Sequence, residues 1–543
     1  MGTRVTALVW VFSLAFALLG YRYYDVQLSQ GDYYGRQATA SNIIGGDLIP
    51  QRGSIYFLDK DDEQVPAAVN KEYPVVYAVP SEVEDPVATA AALTPIIEDI
   101  SQEDLELLLS KKDPYEPLIK RPTEVQVKAI QDVFLKGIYI RSGSDRFYPL
   151  GKTGAHVLGF ASTNESHWLG QYGIESYYNQ ILGGVPGEAE GDRVKQPKHG
   201  KDIQLTIDPN IQSHAEETLS ALVEGYRGQG GTVIVAEPKT GKILAMASYP
   251  TFDPNEYSEF EIGSFLNPSV QSIYEPGSIF KVITMASALD AGKITPETTY
   301  YDSGELTLNE HTIKNWDLKA YGTVTMTNVI ERSLNTGAAF AQRQLGDENF
   351  YEYLKRFGLK DQTQIDLPGE VTGSLLPLEQ DVREINFATA SFGQGISITP
   401  IRLIMAISAI ANGGDMMRPY VNADNKPQKV GRVISKDASK QTIEMMVSAV
   451  DKAGLAKVSG YTVAGKTGTA QVPKTNGGGY TDEVINTYVG FAPAYDPRFI
   501  ILVRLDKPYG APLAGLTVVP TFRDLAQYVI NYYNIPPDRI DIE

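Results

Sequence analysis

Between residues 203 and 533 the chain puts its strand-like runs at the two ends and its helical periodicity in the middle. Residues 203–207 read as a strand. Asp208-Pro209 makes a helix start, an N-cap followed by proline in the first turn, and the helix runs to about 225. GTVIVAE and KILAMAS follow, joined by Pro238-Lys239-Thr240-Gly241, which predicts a β-hairpin. Residues 278–455 carry mainly helical spacing. Strand patterns return at 461–472, 484–494 and 499–505, and a last helix covers about 521–533. Strands drawn from both ends of a region, with helices between, are satisfied by one antiparallel sheet covered by helices. The expected fold class of this part, residues 196–543, is therefore α+β.

A Gly/Pro-rich, charged stretch at 183–202 marks a domain boundary. Ahead of it, residues 23–195 mix strand-like runs (54–58 and 73–79) with the short helical patterns ATAAALTPIIEDI and VQVKAIQDVF, and read as a mixed α/β region. At the start, VTALVWVFSLAFALLG (5–20) carries no charge between Arg4 and Arg22. A spanning helix needs about 17–25 residues, so this segment, extended by Tyr21, is a minimal span. Ala15-Phe16-Ala17 also resembles a signal cleavage site. Residues 1–22 are expected to stay as a single-pass anchor in the plasma membrane, with the N-terminus cytoplasmic and the rest on the far side. A cleaved signal is the alternative.

Composition removes several classes of function. With 48 basic against 66 acidic residues, a net charge of -18, nucleic acid is a poor partner. The absence of cysteine excludes disulfides, thiolate zinc sites and cysteine nucleophiles. The five histidines (156, 167, 199, 214 and 311) have no metal spacing, no His-Glu-x-x-His occurs, and no serine sits in a Gly-x-Ser-x-Gly elbow. No metal or cofactor is expected.

The chemistry rests on three short motifs. In Glu275-Pro276-Gly277-Ser278-Ile279-Phe280-Lys281 a turn leads into an apolar helix, with Ser278 in its first turn and Lys281 on the same face. A neutral lysine can take the serine proton, provided burial or a nearby positive charge lowers its pKa. Ser278 is the only serine with lysine three residues later. Ser333-Leu334-Asn335 offers a proton relay and an amide to hold substrate. Lys466-Thr467-Gly468-Thr469 offers a positive charge for a carboxylate, which would also depress Lys281, with two hydroxyls and a glycine that lets a substrate backbone approach. Lys-Thr-Gly also occurs at 152–154 and 239–241, but only the third copy lies in a β-pattern downstream of the other two motifs.

This ordered triplet resembles that of β-lactamases and penicillin-binding proteins. The chain is similar over most of residues 1–535 to the class B penicillin-binding proteins. Arg52-Gly53-Ser54-Ile55, Arg146, Tyr148-Pro149, His156-Val157-Leu158-Gly159 and Gly173-Ile174-Glu175 resemble the N-terminal pedestal. Asn315-Trp316-Asp317, Gly393-Gln394-Gly395 and Thr399-Pro400 resemble the transpeptidase domain. The resemblance implies an anchor at 1–22, a pedestal or dimerisation-like domain at 23–195 and a transpeptidase domain at 196–543. It implies a peptidoglycan D,D-transpeptidase: Ser278 attacks the penultimate D-Ala carbonyl, D-Ala leaves, and an amine of a neighbouring stem peptide takes the acyl group. Lys281 would be the base, Ser333 a proton relay, and Asn335 a guide for substrate and Lys281. Lys466, Thr467 and Thr469 would read the terminal carboxylate beside Gly468, and the N–H groups of Ser278 and Thr469 would form the oxyanion hole. Lipid-linked glycan strands as substrate, a membrane-embedded glycan polymerase as partner and β-lactams as inhibitors follow from the same resemblance. Asn335 leans towards the division-type branch. A D,D-carboxypeptidase and a catalytically silent penicillin-binding scaffold or sensor are the alternatives.

Overall fold

The computed structural model describes residues 50–540, apart from 98, 113–114, 165–166, 191–192, 475–477 and 511–512, together with a few positions between 10 and 24. Most of the expected anchor lies outside the described residues. Among the described residues, no helix is long and apolar enough to cross a membrane.

The N-terminal region is built on a sheet of β1 (Ile55–Leu58), β2 (Gln64–Ala78), β3 (Glu116–Ile119) and β4 (Ile138–Phe147), with the long β2 pairing to the other three. Helices α1 (Pro86–Leu93) and α3 (Glu124–Val133) fall on the two helical patterns, and α2 (Gln102–Leu109) forms between them. Each starts at a side-chain cap, Asp85, Ser101 or Thr123, which satisfies N–H groups the helix itself leaves free. They close a small core of their own around Val76, Leu93, Leu105 and Ile130.

The C-terminal region holds an antiparallel sheet of β6 (Gly230–Ala236), β7 (Ile243–Tyr249), β8 (Ala464–Pro473), β9 (Tyr480–Ala492) and β10 (Phe499–Asp506). Its order is β7-β6-β10-β9-β8, so the two ends of the region meet where β6 pairs with β10. Every residue of β6 is buried, and its apolar run is the signature of a strand covered on both faces. One face carries α4 (Pro209–Gly225) and α9 (Val518–Tyr532), packed through Leu219, Val233 and Phe522. The other carries α5 (Phe280–Asp290) and α8 (Pro400–Ala411), packed through Ile234, Phe280, Ile404 and Leu502. All residues of α8 are buried, which fits a helix apolar on every side.

Two features depart from the sequence reading. The strand at the head of the second region, β5 (Ile203–Leu205), pairs parallel with β1 rather than joining the central sheet. The β7 edge it would have extended is occupied by α4: Asp208 N–H donates to Leu244 O at 2.9 Å, and the Gln212 side chain bonds both the N–H and the carbonyl of Met246. A helix that caps the edge in this way closes it to another strand. The stretch 278–455 is also not purely helical. It contains paired strands at Thr299–Asp302 with Gly322–Thr325, at Glu305–Leu308 with His311–Lys314, and at Asp415–Met417 with Lys429–Arg432. These are three or four residues long and largely exposed, so they carry little apolar alternation.

Candidate active site

Ser278 lies where a sharp turn becomes a helix. Gly277 takes φ 57°, residues 277–279 form a 3-10 turn, and α5 follows directly. Gly277 N–H donates to Gly393 O at 3.2 Å, and Gly393 itself has φ 81°. A Cβ on Gly393 would collide with the Gly277 backbone, so this contact needs glycine. From the opposite side β8 presses on the same turn: a Cβ on Gly468 would stand 2.8 Å from Pro276 O. Gly468 therefore makes room for the turn that carries Ser278. The sequence reading gave that room to the substrate.

Lys281 follows one turn later on a helix whose residues from Phe280 to Leu289 are all buried. Its Nζ lies 3.0 Å from Ser278 Oγ, 2.6 Å from Ser333 O and 3.1 Å from Ser333 Oγ. Ser333 caps the C-terminal end of α6 (Met326–Arg332) in the left-handed conformation, φ 57° and ψ 47°, and α7 (Asn335–Leu345) begins two residues on. A serine rarely holds this backbone, and here it aims both the Ser333 carbonyl and hydroxyl at Lys281. Lys466 approaches from β8, its Nζ 3.0 Å from Ser333 Oγ and 3.0 Å from Thr467 O. Ser333 Oγ thus bridges the two lysines.

Neither lysine has an anion. Among the described residues no carboxylate forms an ion pair with Lys281 or Lys466. Burial holds Lys281 well below the usual lysine range, and the neighbouring Lys466 adds to the effect. Of the two causes the sequence offers, burial is thus the larger and the Lys466 charge the smaller. Lys466 is itself lowered to about 7 by burial, so its charge is only partial near neutral pH. A neutral Lys281 keeps two N–H bonds for Ser333 and a lone pair for the Ser278 proton.

The remaining expected residues surround this core in different ways. Asn335 Nδ2 donates to Lys314 O at 2.8 Å, and among the described residues no hydrogen bond joins Asn335 to Lys281. Thr467 lies beside the Lys466 amine, which reaches its hydroxyl at 3.3 Å. The Thr469 hydroxyl is engaged on the far side, accepting from Ala514 N–H at 3.3 Å and lying 3.2 Å from Asn486 Oδ1. A buried polar brace that the motifs did not reveal fixes the start of α7. Asn315 Oδ1 accepts from Asn335 N–H at 3.0 Å, Asn315 Nδ2 donates to Asp302, and Thr336 Oγ1 donates to Asp302 at 2.7 Å. Asn315 stands out in the sequence only through family likeness, and nothing in the sequence pattern around Asp302 marks that residue.

Comparison with known proteins places this arrangement. Residues 231–527 match the penicillin binding protein transpeptidase domain, and residues 47–210 match the penicillin-binding protein dimerisation domain. The chain is 34% identical to Stage V sporulation protein D of Bacillus subtilis, over 98% of this chain and 86% of that protein. It is 27% identical to peptidoglycan D,D-transpeptidase FtsI of Escherichia coli, over 99% of this chain and 93% of that one. Among solved structures, a peptidoglycan synthetase from Bifidobacterium adolescentis superposes with a TM-score of 0.70 at 25% identity, covering 91% of this chain and 98% of that chain. Penicillin Binding Protein 2X from Streptococcus thermophilus shares the fold with a TM-score of 0.73, covering 90% and 80%. With both domains matched in order and the Ser278, Lys281, Ser333 and Lys466 side chains converging within the transpeptidase domain, the chain belongs to the class B penicillin-binding proteins.

Proposed function

We propose that this protein is a peptidoglycan D,D-transpeptidase acting through an acyl-enzyme on Ser278. The observation that carries the reading is the unbroken chain of hydrogen-bond distances Ser278 Oγ, Lys281 Nζ, Ser333 Oγ, Lys466 Nζ, each 3.0 or 3.1 Å. Ser278 Oγ attacks the penultimate D-Ala carbonyl while its proton moves to the neutral Lys281 amine. The tetrahedral oxyanion is received by the N–H groups of Ser278 and Thr469. As the C–N bond breaks, Ser333 gives its proton to the departing D-Ala amine and is re-protonated by Lys281. An acyl ester on Ser278 remains. The amine of a neighbouring stem peptide then attacks it and loses its proton to Lys281, which returns one to Ser278 Oγ as the ester C–O bond breaks, leaving the cross-link and a free Ser278.

β8 is the terminal strand of its sheet, so an extended stem peptide can lie along it. Thr467, Gly468 and Thr469 flank that edge, Lys466 draws in the terminal carboxylate, and Asn335 holds a substrate amide. Residues 1–22 serve as the membrane anchor, 23–195 as the pedestal and 196–543 as the transpeptidase domain. The catalytic part then stands outside the plasma membrane, beside a membrane-embedded polymerase that supplies lipid-linked glycan strands. The likeness to FtsI and Asn335 favour a septal role.

A fluorescent penicillin tests the reading. The wild type is expected to label covalently and Ser278→Ala not at all. Labelling of the alanine variant would sink the nucleophile assignment. Release of D-Ala without cross-links, given glycan strands and an amine acceptor, would turn the reading into a carboxypeptidase.

A further inference from the structure

The hairpin of β8 and β9 outruns the sheet that carries it. β10 supports β9 only from Ile485 to Ala492, while β9 begins at Tyr480 and β8 continues to Pro473. Beyond the pair Ala470 and Ile485 the hairpin is a two-stranded ribbon, a structure of marginal stability by itself. Lys507 holds the base of the overhang, its N–H donating to Val484 O at 2.9 Å and its amine pairing with Glu483 at 2.9 Å.

Farther out, Tyr480 reaches the body of the domain. Its hydroxyl lies 3.1 and 3.3 Å from the two carboxylate oxygens of Glu275, three residues before Ser278. Glu275 Oε1 also accepts Gly395 N–H at 3.0 Å. One partly buried carboxylate therefore joins the hairpin, the 393–395 loop and the nucleophile turn. Burial pushes the Tyr480 phenol up, so it stays protonated and donates at neutral pH. The hydrogen bond is charge-assisted and partly buried, which places it among the stronger ones.

The clasp bears on the reaction because the same hairpin touches the nucleophile turn. Pro276 O lies in the space a Gly468 side chain would fill, and Gly277 faces Thr469 O and Ala470. A tilt of the ribbon reaches these contacts within a few residues.

We propose that Glu275 is a positioning residue, which through Tyr480 fixes the β8 edge against the Ser278 turn and so sets the gap in which the acyl group is attacked. The proposal deepens the transpeptidase reading, and its kinetic readout rests on that reading. Tyr480→Phe and Glu275→Gln remove the hydroxyl and the charge with almost no change of shape. Time-resolved penicillin labelling, which separates binding from acylation, should show the acylation rate constant falling about tenfold in each variant, about 1.4 kcal/mol, with little change in Kd. The double variant should be no slower than the slower single one, because both lesions break one interaction. Hydrogen–deuterium exchange of amides 478–485 should speed up in each variant, while Tm stays within about 3 °C of wild type. Wild-type labelling and wild-type exchange in Tyr480→Phe would overturn the clasp and leave the Ser278 assignment standing. If the wild type itself does not label, the Ser278 assignment falls and the exchange data alone decide the clasp.

Discussion

Lys281 is suited to the proposed role of base because, among the described residues, no carboxylate compensates its charge. It is buried, its partners are hydroxyls and a carbonyl, and the nearest titrating group is another lysine. The motif Ser-x-x-Lys places serine and lysine on one helix face and is readable from the sequence. The dominance of burial over the Lys466 charge is not, because it depends on how many apolar residues from distant segments close over α5. Two lysines with lowered pKa values also give acylation a pH signature. In the proposed reaction Lys281 must be neutral to act, so activity should rise with pH through its lowered pKa. Lys466 must be charged to attract a carboxylate, so activity falls as pH rises through about 7 in the free enzyme. The second-order acylation constant of a carboxylate-bearing β-lactam should therefore turn down on the alkaline side of neutrality. In Lys466→Arg, whose guanidinium does not titrate there, the downturn should vanish even where the rate is lower. A downturn unchanged in that variant would show that another group causes it.

At the scale of elements, the site is a meeting of three: the turn into α5, the left-handed link between α6 and α7, and the edge strand β8. Two glycines let them close, and they are predicted to fail in different ways. On Gly468 a methyl group meets Pro276 O at 2.8 Å and Ile279 Cγ1 at 3.1 Å, so the turn and the strand must part by a few tenths of an ångström. Gly468→Ala should fold with a loss of about 1–3 kcal/mol, as for modest overpacking, and label at least about tenfold more slowly. On Gly393 the methyl group meets Gly277 backbone and the φ of 81° is itself unfavourable, so Gly393→Ala should lose stability and labelling together. Labelling by Gly468→Ala at the wild-type rate would show that the contact is slack. The choice of the third Lys-Thr-Gly over the two decoys was legible, since only that copy continues a β-pattern; the structure puts it on β8, while 152–154 and 239–241 fall in turns. The pairing of β5 with β1 was not legible, because a three-residue apolar strand fits any sheet and its partner lies about 150 residues away.

At the scale of the whole molecule, pedestal and catalytic body share a core. Ile55, Phe57, Tyr148 and Ile174 belong to the same apolar cluster as Phe280 and Leu502, whereas α1, α2 and α3 close a core of their own. The pedestal motifs meet at one point beside that shared core. Glu175, fully buried, accepts from Arg52 Nε at 2.5 Å and Arg146 Nε at 2.7 Å, and Arg52 Nη2 also donates to Glu175 O at 2.7 Å. Three motifs more than a hundred residues apart at their extremes are thus joined by one carboxylate. Glu175→Gln keeps the shape and removes the anion between two buried guanidinium groups. The expected loss is about 3–5 kcal/mol, the range for breaking a buried ion pair by removing one partner. Because the core is continuous, that loss should reach the nucleophile. Trp168 lies in the pedestal strand His167–Gly170, and Trp316 stands by the site with its indole N–H donating to Arg332 O. In a Trp10→Phe, Trp316→Phe background Trp168 is the one tryptophan left, so its fluorescence follows the pedestal, while penicillin labelling follows Ser278. In urea the two should be lost in one transition, and Glu175→Gln should move both midpoints down together. A shift of the Trp168 transition alone, with labelling unmoved, would mean that the pedestal unfolds separately and that the shared core does not couple it to the site.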